Sequence, residues 1–211
     1  MFQRFLQKYR PIPEEEPAQD PRRAWPHGEV RGFRELMTEY AGRGFNDGLY
    51  RLHSESSGNV GDSLIAEGFD WLMDRVYSFG YSWSGMQFAL DNSRRDANDE
   101  PLVLLLDPSD GSVFQIDRSF EAFHDREIVD RPDEALDSKL FDAWSWANQH
   151  ALPLRRNQVV GFKIPLALGG RDVIENMEVI DFEVEWSLSS QIQNHTRNLP
   201  EGTPFRGVKI D

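Results

Sequence analysis

Apolar positions along this chain follow two rhythms, helical at both ends and alternating or continuous in the middle. Phe2, Phe5, Leu6 and Tyr9 share one helical face, which predicts a short helix over 2–9. Phe33, Leu36, Met37 and Tyr40 repeat the pattern from Gly32 and predict a second helix. Gly42 and Gly44 follow it and suit a left-handed cap. Residues 48–53 read as a short strand and the Ser/Gly stretch 54–61 as a loop. Asp62 then caps a helix carrying Leu64, Ile65, Phe69, Leu72, Met73 and Val76. Gly68 inside that helix costs about 1 kcal/mol relative to alanine.

The middle of the chain is β. Residues 77–90 predict a hairpin that turns at Ser84-Gly85. A polar loop fills 91–100. The apolar run Leu102 to Leu106 predicts a buried strand. Asp107-Pro108-Ser109-Asp110-Gly111 is a turn signal, and Val113, Phe114 and Ile116 form the returning strand. Ser119 caps the helix that follows. Pro132, Asp133 and Glu134 open another, with Leu136, Leu140, Phe141 and Trp144 as its buried stripe. Residues 159–168 are strand-like and end at Gly169-Gly170. Residues 177–192 fit both periods, and a helix over about 181–197 capped by Asp181 is the reading taken. A last strand is expected at 208–210. The fold class is α+β: a central antiparallel sheet flanked by helices from both ends.

Residues 11–28 interrupt this order. Five prolines and the run Glu14-Glu15-Glu16 predict an extended, solvated arm, from which Trp25 is expected to dock.

Charge narrows the function classes. The chain has 211 residues, with 23 Lys and Arg against 36 Asp and Glu, a net charge of −13. That disfavours direct nucleic-acid binding, which needs clustered cations. It favours solubility and fast encounter with a basic partner, and it also suits an ordinary acidic cytoplasmic protein. No apolar run approaches the ~20 residues of a membrane span. The first ten residues lack the pattern of a secretory signal, so a cytoplasmic location is expected. No cysteine is present, which removes thiolate zinc sites, disulfides and a cysteine nucleophile.

No pair among His27, His53, His124, His150 and His195 has metal-binding helical spacing. His124-Asp125 could orient an imidazole, but a surface histidine is the simpler reading. Asp107 and Asp110 belong to a turn before they form an acid–base pair. The short glycine pairs carry no phosphate-loop signature, and there is no Gly-x-Ser-x-Gly elbow. Trp83 beside the hairpin turn is either a core plug or an exposed anchor of the kind found at binding hot spots. No catalytic centre, metal or cofactor is expected, which leaves a binding protein.

The order of several stretches supports a resemblance. Gly44-Phe45, Gly48 to His53, Phe79 to Ala89, Leu104 to Val113 and Ser119 to His124, following a Pro-rich arm, resemble the GAD-like domain. Val160 to Gly170 and Glu175 to Ser187 are similar to the C-terminal domain of immunity proteins that protect bacteria from type VI secretion DNase toxins. A looser kinship with SUKH-type immunity proteins is suggested. The pattern departs at 54–63, where Ser and Gly residues replace a more regular connection. The resemblance divides the chain into a GAD-like part, 1–125, and an immunity-type part, 126–211, packed as one body. It implies a non-enzymatic antitoxin that binds a cognate effector toxin. On that reading Gly80, Gly85, Gly161, Gly169 and Gly170 are backbone positions and Trp186 is core.

The partner is expected to be basic, with no direct role for nucleic acid or membrane. Trp25 and Trp83 are the candidate anchors. Asp96, Asp99, Glu100, Asp130, Asp133 and Glu134, with Glu14, Glu15 and Glu16, are the candidate steering acids. The alternatives are a SUKH-like scaffold or regulatory binding module without a toxin, and an enzyme on a small molecule.

Overall fold

The computed structural model describes residues 1–13, 15–22 and 26–196. In chain order come helices α1 (Gln3–Lys8) and α2 (Phe33–Tyr40) and strands β1 (Gly44–Phe45) and β2 (Tyr50–Leu52). Helix α3 (Glu55–Gly68) leads into β3 (Val76–Ser82), β4 (Gln87–Arg95), β5 (Pro101–Asp107) and β6 (Ser112–Ser119). A helical stretch follows: α4 (Phe120–Ala122), a wide turn over Phe123–Glu127, and α5 (Ile128–Asp130). Then come α6 (Pro132–Leu136), α7 (Ser138–Ala147), β7 (Gln158–Phe162), β8 (Met177–Asp181) and α8 (Phe182–Thr196). Strands β1 to β6 pair antiparallel in sequence order, and β7 and β8 form a separate pair. This is the α+β class expected, with the hairpin and meander where the pattern put them.

The sheet is buried on both sides, which explains the unbroken apolar run in β5. Val103 and Leu105 join Phe79, Phe88 and Leu90 in one cluster, under Phe5, Phe33, Phe120, Phe141 and Trp144. Leu104 and Leu106 join Tyr81 and Ala89 in another, under Leu64, Ile65, Phe182 and Trp186. Successive side chains point to opposite faces, so a strand covered twice must be apolar throughout. Helices α3 and α8 therefore form one layer, and the helices from α1, α2 and α4 to α7 form the other.

The largest departure from expectation is at 54–61, which is helix rather than loop. Ser54, not Asp62, is the cap: its hydroxyl accepts from Ser57 N at 3.2 Å, and Ser57 Oγ accepts from Ser54 N at 2.9 Å. Tertiary packing overrides the low helix propensity of Gly58 and Gly61. A Cβ at Gly58 would lie 2.6 Å from the Arg22 guanidinium, and one at Gly61 would lie 2.5 Å from Gln87 Oε1. The helix ends at Gly68, so Met73 lies beyond it and is exposed.

The described residues of the arm at 11–28 form no helix or strand, as expected, but they are not solvated throughout. Ile12 N donates to Gly44 O at 2.9 Å and Pro11 bridges to Phe45, so the arm covers the edge strand β1. Glu15 Oε2 accepts from the buried Arg51 side chain and from Gly44 N, each at 2.7 Å. Arg22 is fully buried, paired with Asp62, with its guanidinium 3.4 Å from the Tyr77 ring centroid. Asp20 satisfies the start of α3 through Ser56 N at 2.9 Å. Glu14 and Trp25 lie outside the described residues, as does the strand expected at 208–210.

Smaller differences have local causes. The helix from Pro132 breaks at Asp137, which takes φ 52°. The strand expected over 159–168 stops at Phe162. The ambiguous stretch 177–192 is both things in turn: β8 pairs with β7, then α8 begins, with Asp181 Oδ1 accepting from Glu183 N at 2.9 Å. The buried face of α8 carries Phe182, Glu185, Trp186 and Ser189, while Val184 is exposed. Ser119 precedes α4 without a side-chain capping bond. Gly85 and Gly169 have positive φ as expected, whereas Gly161 and Gly170 are required by close approach instead.

Candidate functional site

The site begins where α8 is fastened across the meander. Trp186 Nε1 donates to Gly85 O at 2.7 Å, tying α8 to the β3–β4 turn. Gln193 Nε2 donates to Ser109 O at 3.2 Å, tying it to the β5–β6 turn. Between these ties, β7, the segment 166–172 and the start of α7 close a cavity of about 460 Å³. Its walls hold five carboxylates, Asp107, Asp110, Asp137, Asp172 and Glu185, and no Lys, Arg or His. Val160, Phe162, Leu166 and Met177 give it an apolar lining.

The carboxylates differ in how they are held. Asp107 Oδ1 accepts from Ser109 N at 2.8 Å and Ser109 Oγ at 2.7 Å, and Asp110 Oδ1 accepts from Ser112 N at 2.8 Å. These bonds make the turn, as the sequence predicts, and Gly111 has φ 75°. Glu185 is only 7% exposed. Among the described residues its one side-chain hydrogen bond is a 3.4 Å contact from Ser189 Oγ to Oε1, longer than a full O–H···O bond. Its carboxylate rests against the Gly161 backbone, where a Cβ would collide with Oε2. Burial pushes the Glu185 carboxyl up to about 7, with the Asp107 charge adding to it and the Ser189 bond opposing. Burial also raises Asp107, with Asp110 and Asp137 adding to it. Asp137 is raised by burial and by the charges of Asp133 and Asp172.

A neighbouring groove of about 590 Å³ shares Met86, Asp107 and Asp137 with this cavity. Apart from those two acids its charges are paired within the chain, among them Arg118 with Glu127 at 3.0 Å and Arg131 with Glu134 at 2.9 Å. A third cavity, about 350 Å³, lies between the arm and α3 and holds both signs, Asp20 and Glu183 beside Arg51 and Arg156.

The candidate residues do not form one surface. Trp83 is 1% exposed, its Nε1 donating to Leu136 O at 2.9 Å. It is the core plug, forming the floor of the acidic cavity and not an exposed anchor. Asp133 and Glu134 line the neighbouring groove, paired with Lys139 and Arg131. Asp130 pairs with Arg4 at 2.5 Å. Asp96, Asp99 and Glu100 sit together at the β4–β5 turn, away from the cavity. There Asp96 Oδ1 accepts from Asn98 N and Glu100 N, and Asp99 lies 3.6 Å from Arg95. Glu15 is half of a buried pair and no steering acid.

His124 is fully buried, which corrects the surface reading. Its Nδ1 donates to Phe120 O and its Nε2 accepts from Tyr50 Oη, each at 2.8 Å, among the rings of Phe2, Phe5 and Phe79. Asp125 does not orient it but accepts from Phe5 N at 3.0 Å. Burial lowers both His53 and His124 to about 3, so both rings are neutral at pH 7. Among the described residues no group of three or more His, Asp or Glu side chains could hold a metal ion. No helix among them is long and apolar enough to cross a membrane.

Sequence reasoning missed Glu185 as a site residue. The signal was present: a carboxylate at the helical spacing of Phe182 and Ser189, on the face that also carries Trp186.

Residues 119–193 match the model of the family described as T6SS immunity protein Tdi1, C-terminal. None of the curated proteins matches the sequence. A solved structure, the crystal structure of Atu4351 from Agrobacterium tumefaciens, is similar with a TM-score of 0.57. The likeness covers 90% of this chain and 89% of that one at 15% identity, and so concerns the fold. The match over 119–193 supports a type VI secretion immunity protein family.

Proposed function

We propose that this chain is a type VI secretion immunity protein that binds a cognate effector toxin and blocks it, without chemistry of its own, in the cytoplasm. The observation that carries the reading is the family match over 119–193. The acidic cavity supports it, because most of its lining, from Asp137 to Gln193, comes from the matched stretch. The rest comes from the meander, so the parts 1–125 and 126–211 act as one binding body.

The net charge of −13 fits a basic toxin such as a nuclease. An acidic inhibitor is steered to such a partner and can occupy the face that would hold nucleic acid. The test is co-expression, in a bacterial host, with candidate type VI effectors from the same genome. The expected result is restored growth, intact host DNA and a stable complex on size exclusion. Undiminished toxicity with no complex would contradict the reading and favour a binding module without a toxin.

A further inference from the structure

We propose that the acidic cavity between α8, β7 and the β5–β6 turn is a socket for one cationic side chain, lysine or arginine, of a protein partner. The proposal rests on the immunity reading only for which protein supplies that side chain.

Charge and burial argue together. A buried charge is costly unless it is paired and hydrogen-bonded. Glu185 is more than nine-tenths buried, lines the cavity, and has no donor to Oε2 among the described residues. No ion pair among the described residues includes it or Asp107, Asp110, Asp137 or Asp172. The turn holds Asp107 and Asp110, whereas Glu185 has only the long Ser189 contact. A ligand that completes this site must bring positive charge and hydrogen-bond donors.

The lining specifies more than charge. Phe162, Leu166 and Met177 present apolar surface beside the acids, which suits the methylene stem of a long cationic side chain. A small hydrated cation would gain nothing from that surface. The segment beyond β7 also leaves Ile164 55%, Leu166 38% and Leu168 37% exposed, an apolar rim for a protein partner.

The probes are N-acetyl-lysinamide and N-acetyl-argininamide, with N-acetyl-norleucinamide as the neutral control. Each is titrated into the full chain and followed by NMR at the Gly161, Glu185 and Gln193 amides and at the Glu185 carboxyl carbon. The expected result is saturable shifts with the cationic amides and a lower Glu185 titration midpoint. The neutral amide should give no saturable shift. Glu185→Gln should weaken cationic binding at least tenfold, and the exposed Asp172→Asn should weaken it less. Equal response to cationic and neutral amides, absence of saturation, or full binding by Glu185→Gln would overturn the proposal. Amide binding needs no effector. Protection without amide binding would therefore sink the socket alone, and amide binding without protection would sink the immunity reading alone.

Discussion

Asp91 and Glu185 are both buried carboxylates, and the fold treats them oppositely. Asp91, on β4, accepts two bonds from Arg75 at 2.8 and 2.7 Å and two more from Ser93. Burial pushes its pKa up, but these bonds outweigh it and hold the carboxyl below the usual range. Among the described residues Glu185 has one long side-chain hydrogen bond and no cation partner, and burial carries it up to about 7. Arg22 and Arg51, both buried, are likewise given carboxylate partners, Asp62 and Glu15. Where this fold buries charge for its own architecture, it supplies the counter-charge. Around Glu185 it does not, and that contrast marks the cavity as a place completed by something else.

The comparison breaks most visibly if Asp91 is made to resemble Glu185. Arg75→Met should cost about 3–5 kcal/mol in urea unfolding at pH 7, because it strands a buried carboxylate. The loss should shrink as pH falls and Asp91 protonates. A loss that is the same at every pH would mean the Arg75 stem, not its charge, matters.

Glu185→Gln should do the reverse. The folded state holds the Glu185 proton up to about pH 7, whereas the unfolded chain releases it near 4.5. Between these values stability falls as pH rises, and above pH 7 the full penalty is present, up to about 3 kcal/mol. The glutamine variant should therefore be more stable than the parent at pH 8 and equal to it near pH 4. Thermal melts at the two pH values check this, and equal melting temperatures at pH 8 would count against an unpaired buried charge.

Smaller effects sharpen the same contrast. Gly161→Ala should cost about 1–3 kcal/mol by displacing the Glu185 carboxylate, and adding Glu185→Ala should recover part of it, as a double-mutant cycle would show. Gly111→Val should cost about 1–3 kcal/mol, because a β-branched residue is strained at φ 75°. Asp110→Ala should stay within about 0.5 kcal/mol, the range of surface changes. Equal thermal shifts for those two variants would show that the turn is not what holds the cavity's wall.

The contrast also shows what the sequence could reveal. The meander was legible because its physics is local: an apolar run marks a strand covered on both faces, and Asp-Pro-Ser-Asp-Gly marks a turn. The first two turns of α3 were not legible, because Gly58 and Gly61 read as loop until Arg22 and Gln87 are packed against them; the turns after Asp62 read as helix. His124 looked exposed because the aromatic rings around it come from positions 2, 5, 50, 79 and 120. The cavity's acids lie at 107, 110, 137, 172 and 185, and only the folded arrangement makes them neighbours. Of the steering acids chosen by local charge, Asp99, Asp130, Asp133 and Glu134 sit at turns and helix ends within reach of a cation of the same chain.

The most direct test of the central claim is titration calorimetry of the full chain against the effector that co-expression identifies as its partner. The paired variant Glu185→Gln with Asp172→Asn should bind at least tenfold more weakly than the parent. Asp99→Asn with Glu100→Gln, at the β4–β5 turn, should stay within about twofold, as expected for charges that lie away from the cavity and, at Asp99, are largely exposed and screened. The reverse order, or an equal loss in both pairs, would contradict the claim that the unpaired acids of the cavity meet the partner.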